Sequence, residues 1–365
     1  MKKKRVLIGA CGIGNGHVMR QSELVDALLP DHDVVMLVSG EYVGFKKASC
    51  EVVSAPLPWL VTDPQGMNWL ESGQQGVNAQ INYQTISQKL AEACEKLGGA
   101  PDIVVSDYEP FSAWLAYSND VPLVSVDQQS KYLGYKTPPL DSKTREMEAA
   151  RLRLILPRAD ARISASFFGM DDYEPVEKYP VDVVSTIVPN GLGKKSSARP
   201  KGVVTVYISN FADTESRFKI LDAIKANPSH EYRVFCHNSF KVNATEATKV
   251  HSNISINSFD RGNFLKSIDE SEAVIGTAGH QLISEMVSME KPMLAVPVQS
   301  YEQNFNALMV EKLGFGAYCR NLNADCVREF LANVRANDFD FAPARSLRLP
   351  PSLDTALATV KKLTV

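Results

Sequence analysis

The sequence lacks any stretch of about 18 consecutive apolar residues, so it has no segment that predicts a membrane-spanning helix. Its basic start, Met1 to Arg5, is followed by a short apolar run, Val6 to Ile8. This run is too short for the apolar region of a secretory signal peptide. We therefore expect a cytoplasmic protein, and a peripheral contact with the inner face of the membrane stays open.

Patterns typical of metal sites are also missing. The six cysteines form no C-x-x-C pair, and the six histidines never have H-x-x-x-H or H-E-x-x-H spacing. Reduced cytosolic thiols and no bound metal or other cofactor are the simplest interpretation. The acid pair Asp338-Phe-Asp340 matches a metal–nucleotide motif of other sugar-transfer enzymes, but its irregular surroundings favour a solvated loop. No Walker loop is present, so we do not expect ATP as a phosphoryl donor.

Charge of either sign is not in excess, because the net charge is -3 and the basic residues are scattered. This balance gives no reason to expect a nucleic-acid partner. A chain of 365 residues fits two domains. The stretch 189–200 has the composition of a linker. We predict an N-terminal domain over residues 1–189, a C-terminal domain over 190–350, and a helix over 351–365 that packs back on the domains.

Short apolar runs alternate with helical patterns on both sides of the predicted linker. Such alternation predicts two α/β domains, each a Rossmann-like, doubly wound parallel sheet, with ligands beyond the carboxyl ends of the strands. Two domains of this kind predict a cleft between them. Residues 54–82 break the rhythm with prolines, glycines, Trp59 and Trp69. We expect a functional loop there that covers the cleft or meets an acceptor. The predicted strands are 6–8, 34–38, 103–107, 123–127, 203–209, 233–236, 254–258, 273–275 and 293–298, and the predicted helices are 18–29, 111–117, 141–156, 214–226, 262–269, 280–290, 303–313 and 352–363.

The turn after the first predicted strand contains Gly12, Gly14, Gly16 and His17. The third glycine of a dinucleotide fingerprint would fall at His17, so a dinucleotide site is disfavoured. The glycines would let an acceptor approach the backbone, while His17 at the helix start would take a proton. An incidental, exposed histidine is the alternative.

A histidine base works better with an acid that orients its other ring nitrogen. Asp107 and Asp127 each end a predicted strand of the same sheet, and Glu109 follows closely. The sequence does not rank these three candidates, and each aspartate alone is more often a cap or turn residue.

A second turn, from Gly276 to Glu285, has the order strand, glycine turn, helix. This order aims free backbone N–H groups at an anion. Glu285, just inside the helix, could accept a hydrogen bond from a ligand hydroxyl, and a polar cluster follows at 299–306. Together these features predict a nucleotide-sugar site. His280 either covers the ligand or only caps the helix.

With these residues assembled, the chain resembles the two-domain GT-B glycosyltransferases, which include the UDP-glycosyltransferases. The most similar branch contains the lipid-linked N-acetylglucosaminyltransferase of peptidoglycan synthesis. The resemblance spans about residues 5–320 and implies a role in cell-envelope or glycolipid synthesis. Three signatures carry it: Gly14-Asn-Gly-His-Val-Met-Arg20, Ser106-Asp-Tyr-Glu-Pro-Phe111 with Val126-Asp-Gln-Gln129, and Gly279-His-Gln-Leu-Ile-Ser-Glu285 with Lys291-Pro, Pro297, Glu302-Gln303 and Asn306.

The resemblance implies that the C-terminal half binds a nucleotide-diphosphate sugar as co-substrate. Glu285 would accept from the ribose hydroxyls, Glu302 and Gln303 would hold the sugar, and the base would flank residues 256–259. His17 would match the base and Asp107 the acid of an inverting, metal-independent enzyme. Backbone amides for the diphosphate would come from Gly279, His280, Gln281 and Leu282, with Ser284 nearby.

The chain departs from these relatives at His280, where Phe is common, and at Leu282, where Thr is frequent. The acceptor is left open between a small molecule and a lipid-linked one. Residues expected on the acceptor side are Gly14, Gly16, Glu109, Asp127, Trp59 and Trp69. A UDP-sugar hydrolase of the nonulosonic-acid pathway type and a non-catalytic nucleotide-sugar binding protein are the alternative functions.

Overall fold

The computed structural model describes residues 3–12, 16–40, 49–56, 62–63, 66–67, 80–140, 145–189, 192, 202–209, 212–298 and 300–364, with the backbone alone for 62–63, 66–67 and 80–82. Gly14, Trp59 and Trp69 lie outside these residues, as does most of the predicted linker.

The chain forms two units. The first unit contains Met1–Val61, Met67–Asn190 and Arg348–Val365, and the second contains Thr62–Gly66 and Gly191–Leu347. Apart from Thr62–Gly66, the chain passes into the second unit after Asn190 and returns to the first at Arg348.

The first unit contains a seven-stranded sheet with the order β3-β2-β1-β6-β7-β8-β9, in which all neighbours are parallel. Its central strands are buried on both faces, as their continuous apolar sequences predict. The strands are β1 (Lys4–Cys11), β2 (His32–Ser39), β3 (Glu51–Ala55), β6 (Ile103–Asp107), β7 (Leu123–Asp127), β8 (Ala161–Ala165) and β9 (Asp182–Val184), and a small separate ladder joins β4 (Thr62–Asp63) to β5 (Gly66–Met67).

Helices cover both faces of this sheet, and two buried apolar clusters lie on its opposite sides. The helices are α1 (Gly16–Leu28), α2 (Gln80–Lys96), α3 (Pro110–Asn119), α4 (Lys131–Gly134) and α5 (Arg145–Ile155).

The second unit contains a six-stranded parallel sheet with the order β12-β11-β10-β13-β14-β15. Its strands are β10 (Val203–Ile208), β11 (Glu231–Cys236), β12 (Ile254–Ser258), β13 (Ala273–Gly276), β14 (Met293–Ala295) and β15 (Gly316–Tyr318). Its helices are α6 (Thr214–Lys225), α7 (Asn238–Thr248), α8 (Arg261–Asp269), α9 (His280–Met289), α10 (Tyr301–Lys312), α11 (Ala324–Ala336) and α12 (Ala342–Arg345).

The last helix, α13 (Ser352–Leu363), belongs to the first unit. Ala356 and Val360 are fully buried in the same apolar cluster as Val18 and Leu24 of α1. The preceding backbone is fixed by a hydrogen bond of 2.9 Å from Ser185 N to Pro350 O.

In each sheet the strand order reverses once, between β1 and β6 and between β10 and β13. Ligands of doubly wound sheets bind at this reversal, beyond the carboxyl ends of the strands. The turns that follow β1 and β13 are the two that the sequence analysis singled out. In the described part of the chain, no helix combines the length and the apolarity that a membrane span requires.

Candidate functional site

The first candidate site lies where β1 and β6 end side by side. His17 is the second residue of α1, and its Nδ1 lies 2.8 Å from Oδ1 of Asp107. Asp107 ends β6, where it pairs with Ala10 of β1. The reversal of strand order therefore brings the start of α1 to the end of β6. Of the three acid candidates, Asp107 is the one that contacts His17.

Asp107 is fully buried and binds more than the histidine. Nε and Nη2 of Arg20 donate to its two oxygens at 2.9 and 3.0 Å, and Nε2 of Gln21 donates at 2.9 Å. Burial by itself would raise the pKa of Asp107, but the charge of Arg20 and the contact with His17 outweigh it, and the pKa lies below its ordinary value. The buried group is therefore a carboxylate at neutral pH.

This carboxylate also fixes the tautomer of His17. Nη2 of Arg20 lies 3.2 Å from the same Nδ1, which would suit an unprotonated Nδ1. The contact with Asp107 is shorter and charge-assisted, so Nδ1–H donates to Asp107. Nε2 then carries a lone pair and can accept a proton from a hydroxyl.

The ring of Tyr108 packs against the imidazole of His17. The two rings are stacked, with centroids 5.7 Å apart and planes at 18°. Tyr108 has a backbone φ of 57°, a left-handed conformation that is uncommon for an aromatic residue. This backbone turn directly follows Asp107, and the sequence carried no signal for the ring contact.

The other two carboxyl groups have different partners. Glu109 caps α3, where it accepts from the N–H groups of Phe111 and Ser112 at 3.0 and 2.6 Å, and it also accepts from Oγ of Ser39. Burial raises the pKa of Glu109, although the hydrogen bonds from Ser112 and Ser39 oppose the rise. This carboxyl group has the contacts of a helix cap.

Asp127 closes the turn after β7. It accepts from N and Oγ of Ser130, both at 2.7 Å, and from Oγ of Ser125. Of the residues expected on the acceptor side, Glu109 thus caps α3, Asp127 holds the turn after β7, and Gly16 begins α1.

The second candidate site is the glycine turn after β13. Gly279 is the N-cap of α9, and a Cβ placed on it would meet no atom within 4 Å. Asn306 anchors the turn by donating from Nδ2 to Ala278 O at 3.0 Å. Gly279 N already donates to Thr277 O at 2.8 Å, so its amide is not a free donor for a diphosphate as the sequence analysis expected. The first N–H groups of a helix have no partner within the helix, so an anion here would meet those of the first turn of α9.

The side chains on the first turn of α9 are mostly buried. The side chains of His280, Leu282 and Ser284 are buried in the second unit. Oγ of Ser284 donates to His280 O at 2.8 Å. The hydroxyl of Ser284 is therefore engaged with the helix backbone. Ser284 would therefore offer an anion no free hydroxyl hydrogen.

Glu285 is buried and paired with Arg261, the first residue of α8. Nη1 of Arg261 donates to Oε2 at 2.9 Å, and Nη2 donates to Oε1. Nε2 of Gln281 also donates to Oε1, at 3.1 Å. Sequence reasoning missed Arg261. Its position two residues after 256–259, the stretch assigned to the base, was the available signal.

Glu302 and Gln303 lie in the first turn of α10, which Ser300 caps by accepting from Gln303 N at 3.2 Å. Oε1 of Gln303 accepts from Val298 N at 3.0 Å. The Gln303 side chain therefore ties the loop after β14 to α10, and Glu302 is half-buried beside it.

The acid pair near the end of the second unit has the contacts of a turn. Oδ1 of Asp340 accepts from Ala342 N at 2.8 Å, and Asp338 N donates to Asn333 O at 3.1 Å. Across the residues that the structure describes, no group of three histidine, cysteine, aspartate or glutamate side chains could hold a metal ion.

A family model described as glycosyl transferase family 1 matches residues 4–335. The chain belongs to this family. It is a glycosyltransferase, and the predicted fold class of two Rossmann-like α/β units of the GT-B type is confirmed. A comparison with curated protein sequences found no match.

Solved structures of glycosyltransferases share this fold along the whole chain. The spinosyn rhamnosyltransferase SpnG is 17% identical, with a TM-score of 0.64 over 98% of this chain and 100% of that one. A UDP-glucosyltransferase from Polygonum tinctorium, described as capable of glucosylating indoxyl, is 14% identical, with a TM-score of 0.67 over 100% and 99%. A variant of Os79 from O. sativa in complex with UDP is 11% identical, with a TM-score of 0.69 over 99% and 100%.

Proposed function

We propose that this glycosyltransferase moves a hexosyl group from a nucleotide-diphosphate sugar, with UDP as the nucleotide, to an acceptor hydroxyl. The observation that carries the proposal is the hydrogen bond of 2.8 Å between Nδ1 of His17 and Oδ1 of Asp107. An imidazole held in this way is a general base with Nε2 as the reacting atom.

The reaction follows from this role of His17. Nε2 takes the proton of the acceptor hydroxyl while the hydroxyl oxygen forms a bond to the anomeric carbon. The bond from that carbon to the diphosphate oxygen breaks, and the diphosphate leaves with the electron pair. A single displacement of this kind inverts the anomeric centre.

The turn at Gly279 supports the donor side of the proposal. Backbone N–H groups and the positive end of the α9 dipole would stabilise the charge that develops on the leaving diphosphate. In this scheme the leaving group needs no bound metal. Glu285 would accept from the ribose, and Glu302 and Gln303 would hold the sugar. UDP is proposed because the names of the Polygonum tinctorium and O. sativa structures include it.

On the acceptor side, we propose a small-molecule or lipid-linked hydroxyl compound that reaches His17 past Gly16, the residue that begins α1. We place the reaction in the cytoplasm, with a peripheral membrane contact if the acceptor is a lipid.

Thermal-shift measurements with UDP-, TDP- and GDP-sugars test the donor. A ligand that binds only the folded protein raises its melting temperature. We expect UDP and UDP-sugars to give the largest shift, and a larger shift with another nucleotide would contradict the assignment of UDP.

The variant His17→Ala tests the base. Removing a general base costs about 10²- to 10⁴-fold in rate. We expect this loss in transfer, with the affinity for UDP within a few-fold of the wild type by calorimetry. Normal turnover by the variant would contradict the role of His17, and rapid release of free sugar without an acceptor would identify a hydrolase.

A further inference from the structure

Arg261 and Glu285 form a bidentate ion pair near the glycine turn of the second unit. Two guanidinium nitrogens bind the two oxygens of one carboxylate, an arrangement that fixes the plane of the carboxylate as well as its position. Both residues are at least nine-tenths buried. The carboxylate therefore has one orientation set by Arg261.

The two hydrogen bonds from Arg261 leave few acceptor sites on Glu285 for a further donor. A carboxylate has about four lone-pair sites. Arg261 takes one on each oxygen of Glu285, and Nε2 of Gln281 takes a second on Oε1. The remaining site is on Oε2. Because Gln281 is only half-buried, its amide is the one donor here that a ligand could replace without moving α8.

Arg261 itself has an unsatisfied donor. Its Nε is buried and has no hydrogen-bond acceptor among the residues that the structure describes. Buried N–H groups are normally hydrogen-bonded, so this one marks a place where a partner is missing. The aromatic rings of Tyr207 and Phe259, with centroids 5.4 Å apart, belong to the same part of the unit, since Tyr207 interacts electrostatically with both Arg261 and Glu285.

We propose that Arg261 is a positioning residue that makes the donor site selective for ribonucleotides over deoxyribonucleotides. This inference rests on the proposed function, in which Glu285 accepts from ribose hydroxyls. Arg261 holds the Glu285 carboxylate so that Oε2 faces a hydroxyl donor, and the Gln281 amide gives way to a second one. A nucleotide without the 2′-hydroxyl then leaves a charged acceptor unmatched.

The experiment measures the dissociation constants of UDP and 2′-deoxy-UDP by calorimetry for the wild type and for Arg261→Gln. A hydrogen bond to a charged group corresponds to a preference of about 10- to 100-fold, which we expect for the wild type. In Arg261→Gln the carboxylate loses its fork, and we expect the two constants to come within about threefold of each other. A folded Arg261→Gln variant that keeps the wild-type preference would overturn the proposal.

Two further variants keep the test decisive. Removing one partner of a buried pair is destabilising, so Arg261→Lys, which retains the charge but not the fork, is measured alongside. We expect Arg261→Lys to stay folded and to lose most of the preference, and retention of the preference would also overturn the proposal. Glu285→Gln should lose the preference as well.

Arg345→Gln is the matched control. Arg345, an exposed residue of α12, pairs at 2.7 Å with Glu290, the residue that follows α9 in the same unit. We expect this variant to discriminate like the wild type, and a loss of preference there would point to a general effect of removing an arginine. If the wild-type protein does not bind UDP, the proposed function fails. If it binds UDP with a preference that Arg261 does not affect, only this inference fails.

Discussion

Asp107 is completely buried and has four side-chain hydrogen bonds. These bonds stabilise its buried charge and hold the imidazole of His17. The fork from Arg20 compensates the loss of water around the carboxylate, and His17 uses the remaining capacity of Oδ1. Because His17 and Arg20 are three residues apart on α1, they reach the same acid from one helix face. The proposed catalytic pair of His17 and Asp107 therefore depends on an arginine that is itself buried.

We predict that Asp107→Asn and Arg20→Gln each reduce the free energy of unfolding by about 3–5 kcal/mol, since each leaves one buried charge without its partner. The double variant Arg20→Gln/Asp107→Asn should lose less than the sum of the single losses. Urea unfolding monitored by fluorescence measures these differences.

Transfer rates separate the structural role of Asp107 from its catalytic role. Every variant with Asp107→Asn, including the double variant, should remain about 10²-fold or more slower in transfer, because His17 lacks the carboxylate that fixes its tautomer. Recovery of the rate in the double variant would show that Asp107 matters only for stability.

Gly279 is the residue of the donor turn at which substitution is informative. Its φ of -69° suits any residue, and a Cβ there meets no atom, so Gly279→Ala should change the free energy of unfolding by less than about 1 kcal/mol. The methyl group would stand at the open side of the turn. We expect the dissociation constant of UDP, measured by calorimetry, to rise at least about tenfold.

Gly316 provides the contrast for Gly279. A Cβ at Gly316 would lie 2.2 Å from Met293 O, so Gly316→Ala should push β15 away from β14 and destabilise the unit.

Unchanged UDP binding by a folded Gly279→Ala would argue against close approach of a phosphate at Gly279.

At the scale of elements, the continuous apolar strands were the predictable part of the fold. Runs such as 103–107 and 123–127 match β6 and β7, and the last helix was placed at the residues of α13. The strand β8 was missed because its sequence, Ala-Arg-Ile-Ser-Ala, has polar side chains that are buried in the structure. The interior of β8 does not follow the apolar pattern on which the prediction depended.

Helices with sparse apolar faces were also missed. Helix α11 carried a usable signal, since Val327, Phe330 and Leu331 have helical spacing and are buried, but the apolar residues of α2 and α7 are less concentrated on one face. The same limit applies to the sites. Asp107 was a candidate because it ends a strand, whereas Arg261 and Glu285 are 24 positions apart on two helices, and no local pattern predicts that they pair.

A buried polar cluster at the amino ends of β11 and β13 contacts α11 through Arg335. Nε2 of His230 lies 3.0 Å from Nη2 of Arg335 and 3.3 Å from Oε1 of Glu272, and its Nδ1 lies 3.0 Å from Oγ of Ser229. Burial and the charge of Arg335 lower the pKa of His230, although Glu272 opposes the shift. The folded protein therefore binds a proton at His230 less readily than the unfolded chain does.

The sign of the pH effect follows from proton linkage. As the pH falls below about 6.5, the unfolded chain takes up this proton first, so the free energy of unfolding decreases. We predict that the wild type loses more stability between pH 7.5 and pH 5.5 than His230→Asn does. Urea unfolding at the two pH values measures the difference, and equal losses would contradict the prediction.

At the scale of the whole molecule, the chain completes its first unit last. Residues Arg348–Val365 follow the second unit in sequence and belong to the first, and α13 contributes Ala356 and Val360 to the cluster that also contains Val18 of α1. Since His17 precedes Val18 on α1, the packing of the chain's last helix supports the element that carries the proposed base.

We predict that deletion of residues 348–365 lowers the melting temperature of the first unit and leaves the shift caused by UDP, which the second unit would bind. Burial of Val360 alone corresponds to about 1.5–3 kcal/mol, and α13 has further partly buried apolar residues. Differential scanning calorimetry with and without UDP resolves the two effects. Transfer activity should fall with the first transition because α1 loses its support.

Val360→Ala is the milder form of this test, and Val250→Ala is its control because Val250 is 80% exposed in the second unit. Loss of a buried branched side chain leaves a cavity, so Val360→Ala should lower the first transition, whereas Val250→Ala should change stability by less than about 0.5 kcal/mol. For the deletion of residues 348–365, a melting profile equal to that of the full-length protein would mean that the first unit is stable without α13. A lost UDP shift with an intact second transition would instead mean that nucleotide binding requires the returning helix.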